Sequence, residues 1–594
     1  MPKSALRITT LIIGSLLGCA AAPAHSARSP ELILAHGHLI TEDETNSVAQ
    51  AVAISHGRIV AIGSDAPILA LATRSTKILD LHGLTATPGL IDTHAHLAEG
   101  GVDSLLTVDL STATSVSDIQ KSLAKRAKAL SPGQWLIGTG WDEGKLKERR
   151  YITASDIDAV SGDHPVWLEH TTGHYGSANT AALKLAGVTL ATPNPTAGTI
   201  DREGDGRASG VLKESAMSLV VKLIPPATSL ELRQGIINNL RVMASEGMTG
   251  IKDPNITLED WQAYQFLANA GKLSAHVCVL WHSDSTLADA KSVIRRLKAI
   301  PLPPAVAAPN LMSCGIKLFM DGSGGARTAW MYQDWNKKSI ETDAGNKGYP
   351  SAEPAAYREV VREYHNAGFH VATHAIGDRA IDWVVDTYAN VLEDNPISGL
   401  RHAIIHANTP TPHAIEVMQS LQSRYDAGYP ETQGGFTWWI GDNYAGNLGP
   451  VRGATLNPYA SYLAHGIRFG GGSDYPVTPL PARLGLWASV AREPLLGTYG
   501  LQPFGSAESI TAADALRSYT VWAAHQLFLD QETGSLEIGK SADIAVWDRD
   551  PTSVETARLK DMHCELTLFR GKIVYKADAK SITPLRKVSK QKGT

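Results

Sequence analysis

Cysteine is scarce: the 594-residue chain holds four. Beyond the N-terminal segment only Cys278, Cys314 and Cys564 remain, too far apart for a disulfide framework or a CxxC zinc site. Cys278 and Cys314 lie in apolar, strand-like runs and read as core residues. An excess of positive charge is also missing. With 54 Lys and Arg against 59 Asp and Glu, the net charge is −5, which leaves no basic footprint for a nucleic acid. No internal run is long and apolar enough to span a membrane. What is present is the composition of a globular protein, at a length that suits one large catalytic domain with additions.

The N-terminus differs from the rest. Lys3 and Arg7 precede an apolar stretch from Ile8 to Ala22, followed by the small-residue sites Ala22-Pro23-Ala24 and Ala24-His25-Ser26. This is the pattern of a secretory signal over residues 1–26, so the mature chain is expected to be exported, periplasmic or secreted. Leu16-Leu17-Gly18-Cys19 also resembles a lipoprotein box, with Cys19 as the residue that would carry a lipid anchor.

Residues 31–88 and 534–577 alternate short apolar runs with Gly and Asp turns, an all-β style at both ends that predicts one small composite sandwich. The middle, 89–102 and 231–533, repeats strand-like and helix-like segments. The clearest helices are Tyr357 to Ala367 and Asp378 to Leu392. That alternation predicts an α/β fold with a parallel sheet, a (β/α)₈ TIM-like barrel. Residues 103–230 fit no single βα unit and are expected to form an inserted cap. Residues 578–594 read as a polar tail.

Chemistry in such a barrel sits at the C-terminal ends of the strands. The strand-like run from Thr87 ends in His94-Ala95-His96, two histidines on one face. Later runs end in or carry Lys317, His374, His406 and Asp474. His370 and His402 lie four residues before His374 and His406, about 13 Å down the strands, and read as structural.

Four histidines, a lysine and an aspartate so placed resemble the amidohydrolase superfamily. The carrying motifs are Gly89 to His96, Gly138-Thr139-Gly140-Trp141-Asp142, Gly173-His174, Lys317 to Ser323, His374 to Ala380, His406, Gly472 to Pro476 and Gly534 to Asp543. The chain looks most similar to the YtcJ-like branch, which includes N-substituted formamide deformylases. The resemblance implies that His94, His96 and Asp474 hold one divalent metal and that His374 and His406 hold a second. It also implies that Lys317, carboxylated on its amine, bridges the two. The other reading of Lys317 is a cation paired with a carboxylate such as Asp321. Nitrogen and oxygen ligands fit Zn²⁺ best, with Mn²⁺, Fe²⁺ and Co²⁺ compatible. Asp474 would be the catalytic proton acceptor. Trp141, His174 and Arg327 are candidate substrate contacts, and Asp378 is a candidate for orienting a histidine. The expected activity is hydrolysis of a small molecule at a non-peptide C–N bond, with lactonase, esterase or deaminase chemistry open on the same site. A binding protein without catalysis is the alternative of another class. Self-association is left open. The chain departs from the family at Thr172, before the cap Gly-His, and at Ile405, before His406, where relatives often carry acidic residues. With the apolar Gly434 to Trp439, these departures point to an aromatic pocket.

Overall fold

The computed structural model describes residues 29–299, 310–336, 345–497, 505–577 and 582–584. The expected signal segment with Cys19 lies outside them.

Eight parallel strands form the barrel in the expected way: β1 (Leu90–Asp92), β2 (Met248–Ile256), β3 (His276–His282), β4 (Leu311–Phe319), β5 (His370–Ala375), β6 (Ala403–His406), β7 (Tyr429–Gln433) and β8 (Gly470–Gly472). They pair in chain order. β1 approaches β8 closely, and the amide of Thr93 donates to Gly471 O at 3.0 Å. Strands such as β3, β4 and β6 are mostly apolar runs because both of their faces are covered. β8 is three glycines: a Cβ on Gly472 would lie 2.9 Å from the His94 amide nitrogen, and one on Gly471 2.5 Å from the Tyr519 ring. Only a bare backbone lets β8 close on the segment that carries the first histidine pair.

The covering helices follow from sequence spacing. In Asp378–Asp394 the residues Ile381, Val384, Val385, Tyr388, Val391 and Leu392 are buried, the i, i+3, i+4, i+7 stripe that faces a core. Pro354–Asn366 starts with proline at its first turn and the Glu353 carboxylate accepting the Ala356 amide, a start that wastes no backbone donor.

Two sheets at one side of the barrel combine both ends of the chain. In one, Leu32–Ala35, Ala51–Ser55, Arg58–Gly63 and Lys77–Asp80 are joined by Thr583–Pro584; in the other, His38–Ile40, Val48–Ala49 and Thr85–Pro88 join Ile544–Trp547, Cys564–Phe569 and Lys572–Lys576. Leu34, Val52, Leu79, Ala86, Val546 and Leu568 pack between them. The described part of the tail is therefore not free: Thr583 pairs with Asp80, and Ile582 is buried.

Residues 108–214 form a third, six-stranded mixed sheet, ordered Gly198–Arg202, Ala208–Glu214, Tyr175–Ala178, Val166–His170, Leu136–Trp141, Val108–Asp109.

The cysteine expectation is corrected. Cys278 in β3 and Cys314 in β4 form a disulfide, with Cα atoms 5.6 Å apart. The two are separated by 36 residues, but adjacent strands bring them together.

Candidate metal centre

The strand that leads to the first histidine pair stops at Asp92. His94 and His96 lie in the turn beyond it, and His96 is the N-cap of the helix Leu97–Leu106. Their Nε2 atoms still converge, at 3.1 and 3.4 Å from the same carboxylate oxygen, Oδ1 of Asp474. Asp92 holds the turn by accepting the amides of His94 (2.9 Å) and Ser473 (3.1 Å).

His374 and His406 meet on the other side. The Nε2–H of His374 donates to the Gly322 carbonyl at 3.0 Å, and the Nδ1–H of His406 donates to Oε1 of Gln433 at 2.8 Å. The Gln433 amide is oriented by its NH₂ group, which donates to the Glu431 carbonyl. Each ring therefore keeps a lone pair on its other nitrogen, and these two nitrogens, Nδ1 of His374 and Nε2 of His406, face each other at 3.0 Å. Two lone pairs at that distance repel unless a cation lies between them. Ligands about 2.1 Å from a metal ion are about 3.0–3.4 Å apart. The ring of His406 also lies 5.4 Å from that of His94, so the two groups form one cluster.

The electrostatics fit a metal. Burial, reinforced by Lys317, holds His94 far below the usual histidine range. Burial with His406 beside it does the same for His374, and burial takes His406 down to about 3. All three are neutral imidazoles with lone pairs to give. Burial would raise Asp474, but the His94 and His96 rings beside it outweigh burial and hold the carboxylate well below its usual range. For His96 burial is overcome by Asp474 and Glu99, which raise it to about 10. Both ring nitrogens of His94 are buried without a hydrogen-bond partner. Burial lowers Lys317 to about 8, with Asp474 and Glu431 pulling the other way.

His406 and Asp474 have left-handed backbones, φ 74° and 55°. Such conformations are costly for residues other than glycine and concentrate at functional sites.

The structure places the remaining candidates differently. His174 is at the site, its ring 5.0 Å from that of His374. Its Nδ1 is 2.9 Å from Oε2 of Glu214, whose Oε1 accepts the Thr328 hydroxyl. Glu214 was not visible in the sequence; its own φ is 51°. Glu214 overcomes burial and raises the His174 pKa. Trp141 is not brought to the site. Its indole is fully buried in the core of the 108–214 unit, donates to the Leu168 carbonyl and packs on Tyr175. Arg327 is buried and braces the loop after β4, reaching Asn447 Oδ1 at 3.4 Å and the Tyr151 hydroxyl at 3.1 Å. Asp378 orients no histidine; it accepts the amides of Tyr332 and Arg379. The carboxylate beside His374 is Asp321, at 3.6 Å, and the amides of Trp330, Ile376 and Gly377 hold it. Asp321 is thus engaged by backbone rather than by Lys317. His370 and His402 are bonded to backbone, at Leu400 O and Val371 N.

Sequence reasoning also missed β7. Glu431 and Gln433 alternate in Tyr429-Pro430-Glu431-Thr432-Gln433 and share its inner face. Lys252 in β2 makes a very short contact with Glu431, and both side chains are fully buried. A period of two was the available signal, masked by the proline and the polar composition.

A second carboxylate–histidine group, Asp142, Glu143 and His170, lies buried in the 108–214 unit. There the Thr172 amide donates to His170 Nδ1 at 3.1 Å, which puts a proton on Nε2, pointing at Glu143 3.1 Å away. Tyr175 donates to the same carboxylate. In this arrangement the ring turns a proton rather than a lone pair towards the two carboxylates.

Comparison with known proteins gives the family. Residues 77–575 match the model of an amidohydrolase family. The chain is 28% identical to an N-substituted formamide deformylase of Arthrobacter pascens, over 92% of this chain and 98% of that protein. It is 27% identical to YtcJ of Bacillus subtilis (strain 168), over 91% and 98%. Among solved structures, a metal-dependent hydrolase from Pyrococcus horikoshii is 25% identical and superposes with a TM-score of 0.68, over 89% of this chain and 99% of that one. The chain belongs to the amidohydrolase family.

Proposed function

We propose that this amidohydrolase cleaves a non-peptide carbon–nitrogen bond, in an amide or an N-substituted formamide, at a divalent-metal centre made by His94, His96, Lys317, His374, His406 and Asp474. The observation that carries the metal centre is the pair of facing lone pairs on His374 and His406. The formamide deformylase relative, aligned over nearly the whole of both chains, supports the bond class.

When bound, a metal of the Zn²⁺ type supplies a Lewis acid and lowers the pKa of water towards neutrality. The protein's own groups do the rest. Asp474 accepts the proton of the attacking water on its carboxylate. As the C–N bond breaks, the same carboxylate returns that proton to the leaving nitrogen, giving an amine and a carboxylic acid. His174, steadied by Glu214, is placed to donate to the substrate oxygen as negative charge develops there. Lys317, buried and lowered to about 8, has free amine available to add CO₂. The resulting carbamate would give the site an anionic bridge between two metals. Phe436, stacked on His406 with ring centroids 5.5 Å apart, makes the pocket wall aromatic and favours an apolar substituent on nitrogen.

The export pattern of residues 1–26 is consistent with the Cys278–Cys314 bond, since disulfides persist in oxidising compartments. We infer a periplasmic or secreted enzyme.

The test is a panel of N-substituted formamides, simple amides, lactones and aminated heterocycles, offered to zinc-loaded protein with bicarbonate present. Release of formate and an amine is expected. Turnover confined to lactones or to aminated rings would overturn the bond class, and no turnover of any substrate would favour a binding protein.

A further inference from the structure

The four histidines of the centre share a pattern. Each turns one nitrogen to the cluster and the other to an acceptor. His374 has the Gly322 carbonyl, His406 has Gln433, and His96 Nδ1 lies 3.3 Å from Glu99. For His94 the acceptor is Oε2 of Glu431, 3.8 Å from Nδ1. This last pair differs from the others. Both residues are fully buried, and neither of the facing atoms has a hydrogen-bond partner. The other carboxylate oxygen of Glu431 is held by Lys252 from across the barrel.

A buried ion pair is a poor way to stabilise a barrel, because well-packed apolar side chains do as well or better. An unpartnered carboxylate oxygen costs more still. Two such unpartnered atoms of opposite character, aimed at each other directly behind a metal ligand, need another explanation. We propose that Glu431 is a positioning residue for the metal centre. On metal binding it would accept the Nδ1–H of His94, which it faces at 3.8 Å in this structure, and so fix the tautomer that leaves the Nε2 lone pair for the metal. Lys252, ion-paired to the other oxygen, anchors the carboxylate. Outer carboxylates of this kind raise the basicity of a histidine ligand. The inference rests on the metal-centre reading above and assigns roles to two residues that bind no substrate.

The experiment measures Zn²⁺ affinity of metal-stripped protein by chelator competition, for the wild type, Glu431→Gln and the double variant Lys252→Met/Glu431→Leu. Each is also loaded with Co²⁺ and its visible spectrum recorded. The expected result is a 10- to 100-fold loss of affinity in both variants, with a shifted Co²⁺ spectrum. The double variant fills the space with apolar groups and keeps the test valid if the single variant folds poorly. Wild-type affinity and spectrum in a folded variant would overturn the proposal and make the pair a strut of the barrel. If the wild type itself takes up no Zn²⁺ or Co²⁺, it is the metal-centre reading that fails.

Discussion

Nδ1 of His374 and Nε2 of His406 stand 3.0 Å apart, while the other nitrogen of each ring faces a different acceptor, the Gly322 carbonyl and Gln433 Oε1. His406→Ala removes one of the two lone pairs and should lower the zinc content by about one ion per chain. Elemental analysis of protein purified without chelator reads this directly. Unchanged metal content would show that the two rings hold only each other.

Asp474 should separate proton transfer from the rest of the site. Asp474→Asn keeps the size of the side chain and removes its basicity. Turnover should fall by roughly 10²–10⁴-fold, measured on whichever panel substrate the wild type hydrolyses.

His174 and Glu214 act together. His174→Ala removes the donor proposed to face the developing charge, and kcat should fall by about 10²–10³-fold. Glu214→Gln leaves the ring in place with a neutral partner and should cost less. The order of the two losses is the check, and equal losses would give Glu214 a role of its own.

Trp141 should behave as a core residue. Truncation to Ala should destabilise the protein by about 3–5 kcal/mol, seen as a lower unfolding midpoint. Trp141→Phe, which keeps most of the packing, should leave KM unchanged. A raised KM in that variant would return Trp141 to the substrate pocket.

Acid stability should depend on Asp426. Burial would raise its pKa, but His525, Tyr429 and Arg401 outweigh burial and lower it from 3.8 to about 2. A depressed carboxylate contributes stability above its unfolded pKa and loses it as pH falls through the folded one. Asp426→Asn should therefore cost about 2 kcal/mol at pH 7. It should also flatten the fall in stability between about pH 4 and pH 2. Denaturant melts across that range test both.

The barrel was legible because its strands are buried on both faces, so runs such as Phe369 to His374 stand out as apolar segments ending in a polar residue. The same rule exposed Lys317, His406 and Asp474. It failed where the cause is three-dimensional. The Cys278–Cys314 bond depends on two strands being neighbours, which 36 residues of intervening chain conceal. Trp141 sits in a Gly-rich motif that reads as a site loop, yet its strand is an inner one of the 108–214 sheet and turns the indole into that sheet's own core. Glu431 and Lys252 were hidden for the opposite reason: their meaning lies in facing each other across a barrel whose closure no local pattern reports.

The composite sandwich sets a timetable for synthesis. The Trp547 indole donates to the Thr87 hydroxyl across 460 residues of chain, and Thr85–Pro88 pairs with Ile544–Trp547. At roughly 5–20 residues per second, the early strand waits on the order of tens of seconds for its partner to leave the ribosome. For all that time one edge of Thr85–Pro88 lacks its final neighbour, an invitation to aberrant pairing. The protein must therefore finish folding only after its last hundred residues exist, so a nascent chain stalled short of Trp547 would be a substrate for holding chaperones rather than a smaller working enzyme.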